Sequence, residues 1–254
     1  MIDTVRDDLV ALSHELGRPE NDYAILGEGN TSARADDESF WVKASGSELR
    51  TLRPAQLVRV GFAACHAMVE GPALSDAQIT EALLDAVVEG ESGVRPSVET
   101  VLHAALLQLD GVVYVGHTHP TAINAVACSN RYGEDLARRL FPDQVVICGP
   151  SAALVPYVDP GLPLANEVLL QARRYLEHYG EPPKTIYLQN HGFIALGKSA
   201  KQVAQITAMS VKAARILLGS YAADGPKFMA CEHVARIAGR EDEHYRQRIL
   251  DAPK

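Results

Sequence analysis

The amino-acid sequence predicts an α/β protein, a sheet covered by helices. Three observations carry this. Short strand-like runs lie close together between turns rich in Gly, Asn and Asp; longer stretches repeat apolar residues at helical spacing; and the two kinds mix along the chain. No repeat, low-complexity tract or Ser/Gly-rich linker divides the 254 residues, so a single domain over 1–254 is expected.

From Asp3 to Leu16, Val5, Leu9, Leu12 and Leu16 recur on one helical stripe that stops at Gly17. Short strands are expected around Ala24–Leu26, Ser32–Ala35 and Phe40–Lys43, with two more at Leu57–Val60 and Cys65–Val69. A helix opens at Ser75, its cap, and runs to about Val88. The next, in "RPSVETVLHAALLQLDG", has Pro96 leading in, Ser97 as candidate cap and Gly111 after its end. "VVYVGHTH" reads as a strand and "PTAINAVACS" as a helix opening at its proline. "DQVVICG" and "KTIYLQNHGFIALG" supply later strands. Long helices run from about Leu162 to His178 and from Ser199 to Gly219. The charged tail "EHVARIAGREDEHYRQRILDAPK" is expected to be helical or frayed, with a solvated face.

A net charge of −8 argues against a nucleic-acid partner, which calls for a basic face. Cys65, Cys128, Cys148 and Cys231 are widely spaced with no CxxC pair, which fits neither a disulfide framework nor a thiolate zinc site. The acidic, amphipathic start lacks the order of a signal peptide, and no apolar run approaches the ~20 residues of a membrane helix. A cytoplasmic protein with no membrane partner is expected.

The chemistry is concentrated in a few short stretches. In "YVGHTHP", His117 and His119 stand two apart on a strand and so share a face. Alone, the pair fits either a metal site or two satisfied histidines at a strand mouth. "LQNHGFIALG" adds His191 at a strand end, and three imidazoles with one open position form the ligand set of a catalytic zinc site. Glu99 stands on a partly buried helix, with His103 one turn later on the same face, and that helix runs directly into the His117 strand; antiparallel packing would bring its carboxylate to the histidines as a general base. His103, one turn on, reads as support or core rather than a ligand. The loops "GEGNTSAR" and "KASGSEL" offer backbone N–H groups and hydroxyls suited to a phosphate or carboxylate, although each alone is equally a hairpin turn.

Together, in this order from "GEGNTSAR" to "NHGFIALG", these segments resemble the class II aldolase/adducin family, which includes fuculose-phosphate and rhamnulose-phosphate aldolases. The resemblance implies a three-layer α/β/α fold around a mostly antiparallel sheet, and a homotetramer with sites near subunit contacts. It implies His117, His119 and His191 as ligands of Zn2+ (or Mn2+ or Co2+), and Glu99 as the catalytic acid/base. Asn30, Ser45, Gly46 and Ser97 would then bind the substrate and its phosphate. The substrate class it implies is a sugar or sugar phosphate, a ketose 1-phosphate first, cleaved reversibly to dihydroxyacetone phosphate and an aldehyde through a metal-stabilised enediolate.

Val98 departs from the family pattern, standing where fuculose-type aldolases carry a second Ser; Lys43 is a candidate compensating charge. Family epimerases carry Asp at the Glu99 position, so the longer acid favours carbon–carbon cleavage. "PSVETVLHA" is especially similar to the aldolase half of bifunctional rhamnulose-phosphate enzymes. For a second acid/base, Tyr132, Tyr157 and Tyr221 are candidates. A decarboxylase or dehydratase on the same metal site is the alternative, and a non-catalytic adducin-like module is the remaining one.

Overall fold

The computed structural model, which describes residues 2–72, 74–242 and 249, is built on one sheet of eight strands. They are β1 (Asn30–Arg34), β2 (Ser39–Lys43), β3 (Leu57–Gly61), β4 (Val87–Glu89), β5 (Tyr114–Thr118), β6 (Ala153–Val155), β7 (Thr185–Leu188) and β8 (Gly192–Gly197). Their spatial order is β4-β3-β2-β1-β5-β8-β7-β6, and every neighbouring pair is antiparallel except β6–β7.

Alternation along the strands divides the core in two. Phe40, Val42, Val58, Val60, Val115 and Ile194 face one layer of helices, comprising α2 (Phe62–Glu70), α3 (Asp76–Asp85), α4 (Thr100–Leu107) and α8 (Leu162–Tyr179). Trp41, Tyr114, Phe193 and Ala195 face the other layer, comprising α1 (Ile2–Leu16), α5 (Thr121–Ala127), α7 (Pro142–Cys148) and α9 (Ala200–Tyr221). Of the remaining helices, α6 (Tyr132–Asp135) adds Tyr132 to the second cluster, and α10 (Cys231–Ala238) packs on α7. Gly116 lets α1 and α9 close on β5: a Cβ there would sit 2.7 Å from Val203 and 3.0 Å from Leu16. The three-layer, mostly antiparallel α/β fold is therefore observed. Among the described residues, no helix is long and apolar enough to cross a membrane.

Several elements depart from expectation. Cys65–Val69 is part of α2, because Phe62, Cys65 and Met68 recur every three residues on the buried side. "DQVVICG" is helix α7: Pro142 opens it, Gly149 ends it, and Val145 and Cys148 turn inward despite the β-branched run. Ala24–Leu26 is not a strand; Ile25 and Leu26 are exposed in a loop, and Leu26 has a φ of 53°. The Ser75 helix is capped as expected by a reciprocal Ser75–Gln78 box, but it stops at Asp85, freeing Val87–Glu89 to pair with β3. Helix α4 begins at Thr100 rather than Ser97; the turn before it is closed by Thr100 N donating to Ser97 O at 3.0 Å. Most of the charged tail, from residue 243 on, lies outside the described residues.

Candidate metal centre

Three element ends meet at one end of the sheet's central strands, β1, β5 and β8. The β1–β5 register sets Asn30 opposite His117, and β5–β8 sets His117 opposite Ile194. His119 lies just past β5, tied by its backbone N–H to Tyr23 O at 2.8 Å. His191 sits in the β7–β8 turn, where Asn190 takes a φ of 54° and Asn124 Nδ2 donates to the His191 carbonyl at 3.0 Å. Gly192 must lack a side chain: a Cβ would strike His119 Cδ2 and Thr118 O, each at 2.7 Å.

The imidazoles form a triangle, with ring centroids 4.8, 5.0 and 5.0 Å apart. One nitrogen from each of His117, His119 and His191 lies within 4.8 Å of the others. His117 Nδ1 is 3.0 Å from the Phe193 carbonyl oxygen, which only accepts, so Nδ1 carries the proton and Nε2 presents its lone pair. That Nε2 is 3.1 Å from His119 Nε2, close to the edge of about 3.3 Å expected between nitrogens sharing a tetrahedral zinc.

Burial, reinforced by the neighbouring imidazoles, holds both His117 and His119 down to about 3. Burial also lowers His191. All three are thus neutral donors near pH 7, and this donor set fits a borderline divalent cation such as Zn2+.

Glu99 closes the site from the α4 side. Its Oε1 is 3.5 Å from His191 Nε2 and its Oε2 3.8 Å from His117 Nε2. Asn30 Nδ2 donates to Oε2 at 2.6 Å. His103, wholly buried, is no ligand; its Nε2 faces Asn30 Oδ1 and its Nδ1 faces Ser32 Oγ. Sequence reasoning passed over Glu28, whose Oε1 lies 3.9 Å from His119 Nδ1 and whose Oε2 accepts from Ile25 N. An acid directly before Gly29 and Asn30, at the entrance to β1, was its only visible signal.

The other expected residues stand on an adjoining pair of loops. A bridge between Ala44 and Pro96, with Ser45 N donating to Arg95 O at 2.9 Å, brings the Ser45–Gly46 turn beside Ser97. Gly46, at a φ of +77°, and Ser45 are exposed, whereas Ser97 Oγ is buried with no hydrogen-bond partner among the described residues. Val98 points outward, 42% exposed. Lys43 is buried, and its Nζ donates to the Ser47 carbonyl, so it braces the turn from beneath; burial lowers its pKa.

The tyrosines are placed as follows. Tyr132 donates to the Val155 and Tyr187 carbonyls in the core, and Tyr221 pairs with Asp135. Tyr157 is exposed, with its hydroxyl on Asp159 and its backbone N–H on Gln189, two residues before His191.

Comparison with known proteins bears on the family and the fold. The family model described as Class II Aldolase and Adducin N-terminal domain matches residues 7–218. Uncharacterized oxidoreductase YuxG of Bacillus subtilis (strain 168) is 27% identical over 201 residues, or 71% of this chain; the match spans only 27% of that longer protein. The 3-oxo-tetronate 4-phosphate decarboxylase of Haemophilus influenzae is 27% identical over 212 residues, covering 82% of this chain and 84% of the relative. Among solved structures, L-fuculose 1-phosphate aldolase from Glaciozyma antarctica PI12 superposes with a TM-score of 0.66 at 19% identity, covering 99% of this chain and 91% of that one.

Proposed function

The chain belongs to the class II aldolase and adducin family, and from that premise we propose that it is a metal-dependent carbon–carbon lyase acting on a phosphorylated sugar-type substrate. The observation that supports this reading most is the convergence of His117, His119 and His191, all neutral, with the Glu99 carboxylate 3.5 and 3.8 Å from two of them. A divalent ion held there, zinc first and manganese or cobalt next, supplies Lewis-acid stabilisation of the negative charge that develops on substrate oxygen as the bond breaks.

The chain's own residues do the rest. Glu99 moves a proton to and from the substrate carbon beside the carbonyl. Asn30 holds that carboxylate, and Ser45, Gly46 and Ser97 bind the phosphate or an equivalent anion through hydroxyl and backbone N–H groups. His117, with no exposed surface, seals the floor against water. Of the three candidate tyrosines, Tyr157, on the segment tied to the His191 turn, would serve as second acid/base. The reading carries with it a cytoplasmic homotetramer, checked by light scattering of the purified protein.

Two reactions share these parts. Aldol cleavage of a ketose 1-phosphate yields dihydroxyacetone phosphate and an aldehyde. Loss of carbon dioxide from a 3-oxo-tetronate 4-phosphate leaves the same ketone phosphate, and this second reading is favoured by two relatives of that name that are 27% and 26% identical. In both, Glu99 would protonate the same carbon. The zinc-loaded protein should release dihydroxyacetone phosphate from one substrate class, with aldehyde or carbon dioxide as co-product deciding between them. Release of neither from ketose 1-phosphates or 3-oxo-tetronate 4-phosphate rejects the proposal.

A further inference from the structure

A chain of hydrogen bonds leads from Glu99 away from the imidazoles and into the core. Asn30 Nδ2 donates to Glu99 Oε2 at 2.6 Å. The other end of that amide, Oδ1, is in contact with His103 Nε2. On the far side of the ring, His103 Nδ1 lies 2.6 Å from Ser32 Oγ. His103 and Ser32 have no exposed surface, and Asn30 has 5%. Asn30 and Ser32 stand two apart on β1, and so on one face, while His103 comes from α4 more than seventy residues later.

The donor directions follow from the placing of one amide. Asn30 turns its NH2 group to Glu99 Oε2, which accepts, and its oxygen to the ring. That oxygen requires a proton on His103 Nε2. Burial keeps the imidazole neutral, with its pKa pushed down to about 3, so it has one ring proton to give. Nδ1 is then bare and accepts from the Ser32 hydroxyl. Each link satisfies a buried polar group that would otherwise be costly, and such fully paired chains hold their members rigid.

Rigidity matters because, among the described residues, the 2.6 Å bond from Asn30 is the short contact on Glu99, while the His191 and His117 nitrogens stand off at 3.5 and 3.8 Å. Glu99 stands at the start of α4 with no side-chain capping bond, and a free carboxylate there has several rotamers open to it. The Asn30 bond occupies Oε2 and leaves Oε1 as the oxygen on the His191 side, at 3.5 Å. We propose that His103 and Ser32 are positioning residues: acting through Asn30, they fix the Glu99 carboxylate in the orientation from which it exchanges protons with substrate. The inference rests on the reading of Glu99 given above. It also gives Asn30 a task besides anion binding.

The test has two arms on the full-length, zinc-loaded protein. In the first, 15N-histidine NMR should show His103 as the tautomer protonated at Nε2, and its resonance should move on Glu99→Gln. An Nδ1-protonated ring, or one indifferent to Glu99, overturns the relay. In the second, dihydroxyacetone phosphate in D2O serves as probe, and deuterium uptake beside its carbonyl is followed by NMR. His103→Leu should slow uptake at saturating probe by about tenfold or more, with KM and zinc content within about twofold of native. His103→Gln, which restores an amide N–H donor, should recover to within about threefold, and Ser32→Ala should cost about threefold. Equal losses in the Leu and Gln variants, or losses confined to KM or zinc content, overturn the positioning role. If the native protein takes up no deuterium, the functional reading of Glu99 fails; the spectrum then decides whether the relay itself exists.

Discussion

The two ends of the candidate site are finished to different degrees. At the imidazole end the fold pairs the side chains around Glu99: His117 Nδ1 with the Phe193 carbonyl, Asn30 with Glu99, His103 with Asn30 and Ser32. Of the groups nearby, Thr118 Oγ1 and Asn124 Oδ1 have no hydrogen-bond partner among the described residues. At the loop end Ser45 and Gly46 are exposed, and the Ser97 hydroxyl is buried without a hydrogen-bond partner among the described residues. A buried hydroxyl without a partner costs on the order of 1–3 kcal/mol. The difference teaches a division of labour. On the proposed reading, the end that would do the chemistry is held by tertiary contacts, while the loop end would be completed by its ligand.

Removing the proton carrier at the preorganised end should have the largest effect. Glu99→Gln keeps an acceptor for Asn30 but cannot take up a proton, so turnover should fall by about a thousandfold with zinc content unchanged. Retained activity removes Glu99 as the base, and lost zinc would make it a ligand instead. His119→Ala comes next, lowering zinc affinity by about a hundredfold in a chelator competition, since three protein ligands become two. Full affinity in that variant would break the assignment of this end as a metal site.

A pH titration sharpens the same contrast through His103. Its pKa lies near 3 in the fold, held down chiefly by burial, and near 6.5 in the unfolded chain. The unfolded state therefore binds the extra proton between those values. The stabilising contribution is fully present above about pH 6.5 and is lost progressively as pH falls toward 3. By about pH 5 the loss from this one ring is about 2 kcal/mol. Denaturant unfolding of the zinc-free protein should show that loss, steepened by His117 and His119, both likewise held to about 3 by burial. His103→Gln should flatten the slope by about one proton's share; an unchanged slope would mean that ring is not buried neutral.

What the sequence disclosed follows the same line. Two-residue alternation marked His117 and His119, a strand end marked His191, and Ser75 and Ser199 marked helix starts that their side chains do cap. Local periodicity suffices for such features. It misled at Cys65–Val69 and in "DQVVICG", where a short apolar run fits a strand or a buried helix equally and only packing chooses. The three-residue strand β4 exists because β3 lies beside it. The link from Ser32 through His103 and Asn30 to Glu99 spans separations of 69 to 73 residues, so no window of sequence contains it. Glu28 was hidden for another reason: a half-buried acid in a loop is ordinary until an imidazole is found 3.9 Å away.

The smallest expected effect lies at the unfinished end and tests whether that end binds an anion at all. Ser97→Ala removes a hydroxyl with no hydrogen-bond partner among the described residues, so the fold should melt at or slightly above the native temperature. A phosphorylated ligand that uses the hydroxyl should bind about three- to tenfold more weakly, appearing as a raised KM with kcat nearly constant, because a uniform binding interaction is lost. The converse substitution, Val98→Ser, exchanges an apolar side chain that is 42% exposed for a second hydroxyl beside the same loop. It should tighten inorganic phosphate, measured by calorimetry, by about twofold, the worth of one solvent-accessible hydrogen bond. If Ser97→Ala leaves KM untouched and lowers the melting temperature, the hydroxyl has an internal partner. The contrast between a finished and an unfinished end would then fail at the residue that defines it.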